Sequence, residues 1–151
     1  MGLFRTGRGR ASGYTLIIGC SRLGASLANT IAGKEGGVMV VDRDERAFRK
    51  LGGAYGGQTL TGDATDIAVL RAADIERADT VVCVTNDDNT NIMVAQIARV
   101  VYHISNVLCR LCDPEREILC REFGIDTICP TALTTREIDR LLGRANGEKE
   151  A

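Results

Sequence analysis

The sequence predicts an α/β fold: one doubly wound, six-stranded parallel sheet covered by helices on both faces. Three observations lead there. Short β-rich runs alternate with longer amphipathic stretches, the runs are almost continuously apolar, and a glycine-containing turn follows the first of them. Regular alternation calls for βαβ units with right-handed crossovers. Strands that lack a polar face belong to a parallel sheet buried on both sides. A turn of this kind between the first strand and first helix makes the expected fold Rossmann-type.

The expected strands are 14–19, 38–42, 58–61, 80–85, 106–111 and 127–129, and the expected helices are 23–34, 46–51, 66–73, 89–102, 114–123 and 132–142. In the fourth helix, Ile92, Ala95 and Val100 fall at spacings that line one face. Asp113 is an N-cap followed by Pro114 at the first helical position, and Gly124 terminates that helix. Thr131, after Pro130, is the expected cap of the last helix. The reading is a single domain over 14–142, between a disordered basic lead-in (1–13) and a polar tail (143–151).

Composition bounds the function. The 151 residues are 44% hydrophobic with a formal net charge of −1, the profile of an ordinary soluble globule. No apolar run approaches the length of a membrane span. Residues 1–13 carry three arginines, but no apolar segment follows them, so they do not form a signal peptide. Three charges also give little affinity for nucleic acid or an anionic membrane, and no nucleic-acid partner is expected. Six cysteines without a secretion signal read as reduced thiols. Cys83 and Cys109 lie in apolar runs and read as core. Cys109 and Cys112 form a lone CxxC, without a second pair or a histidine cluster to make a zinc site. Core filling is preferred there to a redox role.

In a doubly wound sheet, ligands bind beyond the carboxyl ends of the strands, at the switch point. Gly19-Cys20-Ser21-Arg22-Leu23-Gly24 occupies the first such end. Gly19 allows the tight turn, Gly24 allows helix to approach sheet, and the helix N-terminus offers free N–H groups to phosphate. Ser21 replaces the glycine that lets a backbone approach a pyrophosphate, which leaves dinucleotide and mononucleotide both open. Its hydroxyl is a further candidate phosphate donor. Arg22 in the first turn opposes the helix dipole unless a phosphate sits there; the alternative is a solvated arginine.

Asp42, eighteen positions after Gly24, accepts ribose hydroxyls and disfavours a 2′-phosphate. NAD(H) or an adenosine phosphate is thus favoured over NADP. Arg43 either stacks on adenine or offsets a 2′-phosphate. Gly62, Asp63, Ala64 and Thr65 fall at the adenine edge, where Asp63 either accepts from the amino group or caps a helix. Residues 85–91 mix caps and turns, with Thr85 nearest the ligand. Arg110 at the end of the fifth strand points to a phosphate on the same rim.

Taken in order, IIGCSRLG, VVDRD, GDAT, VTNDDNTN, CDPE and ICP resemble the TrkA-N family, also called RCK or KTN domains, from about residue 14 to 142. The resemblance implies a cytosolic nucleotide-binding lobe that regulates a potassium transporter or channel, held at the inner face of the membrane by that partner. It implies AMP, ADP, ATP or NAD(H) in the cleft, and dimers assembled into rings, with copies of itself or a sibling chain. Phosphate contacts would fall on Ser21, Arg22 and Leu23, ribose on Asp42, and adenine on Asp63 and Ala64. Two departures stand out: Ser21 itself, and the absence after residue 142 of the second lobe found in many members.

The main rival is an NAD-dependent oxidoreductase, which needs an acid or base beside the nicotinamide. His103 and Tyr102 follow the fourth helix and fall at the opposite edge of the sheet. A second rival is a thiol redox sensor using Cys20, beside a helix N-terminus. The expectation is a sensor, not an enzyme, without a metal. Leu133, Ile138, Leu141 and Leu142 form a face of the last helix that packs either on its own sheet or on another subunit.

Overall fold

Valine, isoleucine and leucine dominate the strands, as β-branched and apolar side chains fit a pleated surface covered on both sides. The structure, a computed structural model, describes residues 13–34 and 36–144. The expectations for the basic lead-in and most of the polar tail lie outside the described residues. The strands are β1 (Thr15–Ile18), β2 (Val38–Asp42), β3 (Gln58–Thr61), β4 (Thr80–Cys83), β5 (Asn106–Arg110) and β6 (Asp126–Ile128). They form one parallel sheet in the order β3-β2-β1-β4-β5-β6, so the winding reverses between β1 and β4. That reversal opens a crevice at the carboxyl ends.

The helices are α1 (Arg22–Ile31), α2 (Ile67–Ala72), α3 (Asp88–Gln96), α4 (Ile118–Arg121) and α5 (Pro130–Leu141). Alternate strand residues face opposite layers. Ile17, Val38, Val40, Val82 and Val84 pack with Ala25 and Ala28 of α1. Leu16, Ile18, Val41, Val81 and Cys83 pack with Leu70, Ile92 and Ala95 from the other layer. Every ion pair found among the described residues joins exposed side chains, where such pairs contribute little. The two apolar layers therefore hold the fold.

Several segments differ from the sequence expectation, among them 114–123, which is a 3-10 helix over Pro114–Glu117 followed by the short α4. Residues 46–51 form a 3-10 helix, Glu45–Lys50, capped by the Asp44 carboxylate. The fourth helix does not run on to residue 102: α3 ends at Gln96 and passes into a π-helical turn, Ile97–Val101. Arg99 fixes the end of this turn by donating to the carbonyls of Phe123, Ile104 and Ser105. The last helix begins at Pro130 with Cys129 as N-cap, not after a Thr131 cap. Proline lacks only an N–H that the first helical position leaves unpaired, and its φ is already helical. Asp113 does cap the turn that starts at Pro114, and Gly124 adopts φ 68° after α4.

Cys83 and Cys109 are buried in the core, whereas Cys112 is exposed. The CxxC thus spans core and surface. Burial pushes the Cys109 thiol up. No cluster of His, Cys, Asp or Glu among the described residues is arranged to hold a metal. No helix of the described residues is long and apolar enough to cross a membrane.

Tyr14 and Tyr55 bond the carbonyls of Ala73 and Gln58 at 2.6 and 2.8 Å. Burial pushes both phenols up to about 12. The unfolded chain releases these protons first, from about pH 10, so it binds fewer protons than the folded state above that pH. Stability is therefore expected to fall as pH rises from about 10 to about 12. Urea midpoints measured across that range check it, and Tyr14→Phe with Tyr55→Phe is expected to flatten the slope.

Candidate functional site

The turn after β1 is shaped by backbone contact. Gly19 has φ 101°, and a Cβ there would stand 2.7 Å from the Thr85 amide nitrogen. A Cβ on Gly24 would stand 2.0 Å from the Gly19 carbonyl oxygen. Neither position accepts a side chain without moving backbone. Ser21 caps α1: its hydroxyl oxygen accepts the Gly24 N–H at 3.1 Å while the hydroxyl donates to the Val84 carbonyl at 2.7 Å. This corrects the expectation of a phosphate contact from that hydroxyl, because its one O–H is spent on the Val84 carbonyl. The side chain turns toward the sheet and does not narrow the approach to the loop. Ser21 is therefore no argument against a dinucleotide.

The N–H groups of Ser21, Arg22 and Leu23 have no acceptor among the described residues. Three free amides at the start of a ten-residue helix can receive an anion. The side chains of Arg22 and Leu23 are exposed and do not line the cleft. Leu23 instead borders an apolar groove on the α1 face of the sheet.

Asp42 ends β2 and ties the end of that strand to the turn after β1. Its Oδ2 accepts the Cys20 N–H and its Oδ1 the Asp44 N–H, both at 2.8 Å. Each oxygen keeps a second lone pair for a ribose hydroxyl. The Cys20 thiol is buried and donates to the Ala47 carbonyl at 3.3 Å. Burial, followed by the Asp42 carboxylate, raises its pKa. Cys20 is thus inert packing and not a redox thiol, since reactivity needs an accessible thiolate.

Asp63 lies across the crevice beside Gly62 and Ala64. It does not cap α2; Asp66 does. Asp63 closes a tight turn through the Thr65 hydroxyl and amide, which hold its carboxyl below the ordinary range. Both bonds use Oδ1, which leaves Oδ2 a candidate acceptor for an amino group. Asp87 caps α3 in the same way, its carboxyl lowered chiefly by Thr90. The acidic residues around the rim are first of all locks on its turns.

At the β4 end, Asn91 is fully buried. Its Oδ1 accepts from the Thr85 N–H and hydroxyl at 2.9 and 2.7 Å. Its Nδ2 donates to the carbonyls of Thr85 and Arg110, both at 3.0 Å. Arg110 Nη1 donates to the Thr85 carbonyl and Asn86 Oδ1. Arg110 therefore fixes the β4–α3 loop and does not reach the cleft, which corrects its expected phosphate contact.

The outcome is a cleft of about 400 Å³, within the size range of small-molecule sites. It gathers Gly19, Cys20, Ser21, Asp42, Arg43, Gly62, Asp63, Ala64 and Thr85, as expected. Ala47 and Lys50 of the 3-10 helix also line it, and no motif had pointed to them. Asn91 carried a weak signal, a polar residue on the helix face shared by Ala95 and Ala98. His103 stands before β5, at the amino end of the sheet and away from the cleft.

Asn91→Leu would leave the Thr85 and Arg110 groups without partners. It is expected to cost about 2–4 kcal/mol, read as a lower urea midpoint with an unchanged slope.

The family model of the TrkA-N domain matches residues 15–131. The "Trk system potassium uptake protein TrkA" of Streptomyces coelicolor is 36% identical over 129 residues, covering 85% of this chain and 58% of that protein. The chain thus spans less than two thirds of this relative. Among solved structures, the GsuK RCK domain is 25% identical with a TM-score of 0.75, over 93% of this chain and 30% of the other. GsuK bound to ADP is 26% identical with a TM-score of 0.70, over 93% and 35%. With motifs, topology and family model in agreement over most of its length, the chain belongs to the TrkA-N family.

Proposed function

We infer that this chain is a nucleotide-sensing regulatory domain of a potassium uptake system. The observation that carries the reading is the Asp42 carboxylate in a cleft that Ser21 also lines, at the start of a helix whose first three amides have no partner. An anion site beside a ribose acceptor suits an adenine nucleotide. AMP, ADP and ATP are the leading ligands and NAD(H) a further one. NADP is disfavoured by Asp42, although Arg43 and Lys50 beside it soften that preference. The ADP complex of GsuK supports an adenosine phosphate.

The domain runs over 14–142, works on the cytoplasmic side, and acts on an integral-membrane potassium transporter or channel subunit. A relative named as a Trk uptake protein supports that partner. Its task is regulation, not hydride transfer. Nucleotide shifts the conformation only as far as it binds one state better than another. Arg22, at the open end of the amides, reads phosphate number. Asp63 and Ala64 meet the adenine.

Copies of the domain, or a sibling chain, complete a ring. No residue of α5 is buried, and Ile138, Leu141 and Leu142 are at least half exposed. The groove bordered by Leu27, Val82, Val84, Leu108 and Ile128 offers an apolar counterpart.

Calorimetric titration with AMP, ADP, ATP, NAD and NADH under one condition tests the ligand. Asp42→Ala is expected to weaken every adenosine ligand by about 10–100-fold. Arg22→Ala is expected to erase discrimination among AMP, ADP and ATP; curves identical to wild type would remove that role. For assembly, light scattering is expected to show an oligomer that Ile138→Asp with Leu141→Asp converts to monomer. A wild-type monomer at high concentration would count against it.

A further inference from the structure

Cys20 is held on three sides by the last residue of β2 and the 3-10 helix that follows it. Its N–H donates to Asp42 at 2.8 Å and its thiol to the Ala47 carbonyl at 3.3 Å. Its carbonyl oxygen accepts from the Lys50 ammonium at 3.2 Å. The third bond matters most for the ligand. The Cys20–Ser21 peptide is trans, so its N–H points opposite to its C=O. With the carbonyl drawn to Lys50, the Ser21 N–H is directed away from the 3-10 helix. That N–H is the first of the three unpartnered amides. An ammonium on the carbonyl also polarises the same peptide and strengthens its N–H as a donor.

Lys50 is itself well placed to hold this geometry. It is the last residue of the 3-10 helix, whose start is capped by Asp44 and whose Ala47 and Phe48 pack in the α1 layer of the core. Loss of the bond frees the peptide to rotate and to present a carbonyl oxygen, not an N–H, to a phosphate.

We propose that Lys50 is a positioning residue of the phosphate site, holding the Cys20–Ser21 peptide so that its N–H faces the phosphate of a bound nucleotide. Phosphate affinity then depends on the 3-10 helix after β2 as well as on the glycine turn. This rests on the adenine-nucleotide reading of the cleft.

The test titrates wild type, Lys50→Met and Lys50→Arg with AMP and with adenosine, at low and at high salt. Lys50→Met is expected to bind AMP about tenfold more weakly and adenosine as wild type does. Lys50→Arg, which keeps a donor, is expected to recover most of the loss. The deficit is expected to persist at high salt, because a hydrogen bond that orients a peptide is not screened as a distant charge is. Equal AMP affinity in wild type and Lys50→Met overturns the role. So does a deficit that vanishes at high salt, an equal loss of adenosine, or a failure of Lys50→Arg to recover binding. Wild type that binds neither ligand overturns the nucleotide reading, and the role of Lys50 with it.

Discussion

At the reversal of the sheet, three backbone segments meet with no room for side chains between them. The start of α1 lies against the Gly19 carbonyl through Gly24, and Gly19 lies against the backbone of Thr85. This contact brings the end of β1, the first turn of α1 and the end of β4 to one point. Both the free amides of α1 and the rim of the cleft take their positions from it. A methyl group at either glycine would push apart elements that everything else in the site assumes to be close.

That contact is held by polar groups with no freedom left. Asn91 spends all four of its hydrogen-bonding functions on Thr85 and Arg110, and Arg110 holds the same loop from the other side. On the β2 side, Asp42 ties Cys20 to Asp44. Such networks are costly when half-made and rigid when complete. The N–H groups of Ser21, Arg22 and Leu23 at the start of α1 are left unpaired, as is the buried Arg110 Nε. Rigidity around a few unsatisfied donors is what an anion site requires, because a ligand then meets groups already in place.

The carboxylates around the rim show how a residue type can mislead. Asp63, expected at the ligand, closes its own turn first, as Asp44 and Asp87 do. Their charge remains, and Arg43 and Lys50 line the same cleft. The arginines reverse the lesson. Arg110 was legible as a cation on the correct rim, but its Nη1 is spent on the Thr85 carbonyl and Asn86, and it does not line the cleft.

The doubly wound parallel sheet, the two apolar layers, the glycine turn and the rim positions of Asp42, Asp63 and Thr85 were legible in the sequence. Each follows from local rules: side-chain periodicity, the backbone freedom of glycine, and the fixed geometry of βα turns. What the tertiary structure decided is where a polar side chain spends its bonds. The Ser21 hydroxyl goes to Gly24 and Val84. Lys50 crosses thirty residues of chain to reach Cys20, and Asn91 turns inward to join two strands. No spacing encodes these partners, because a hydrogen bond depends on proximity in space, and only the packed sheet creates that proximity.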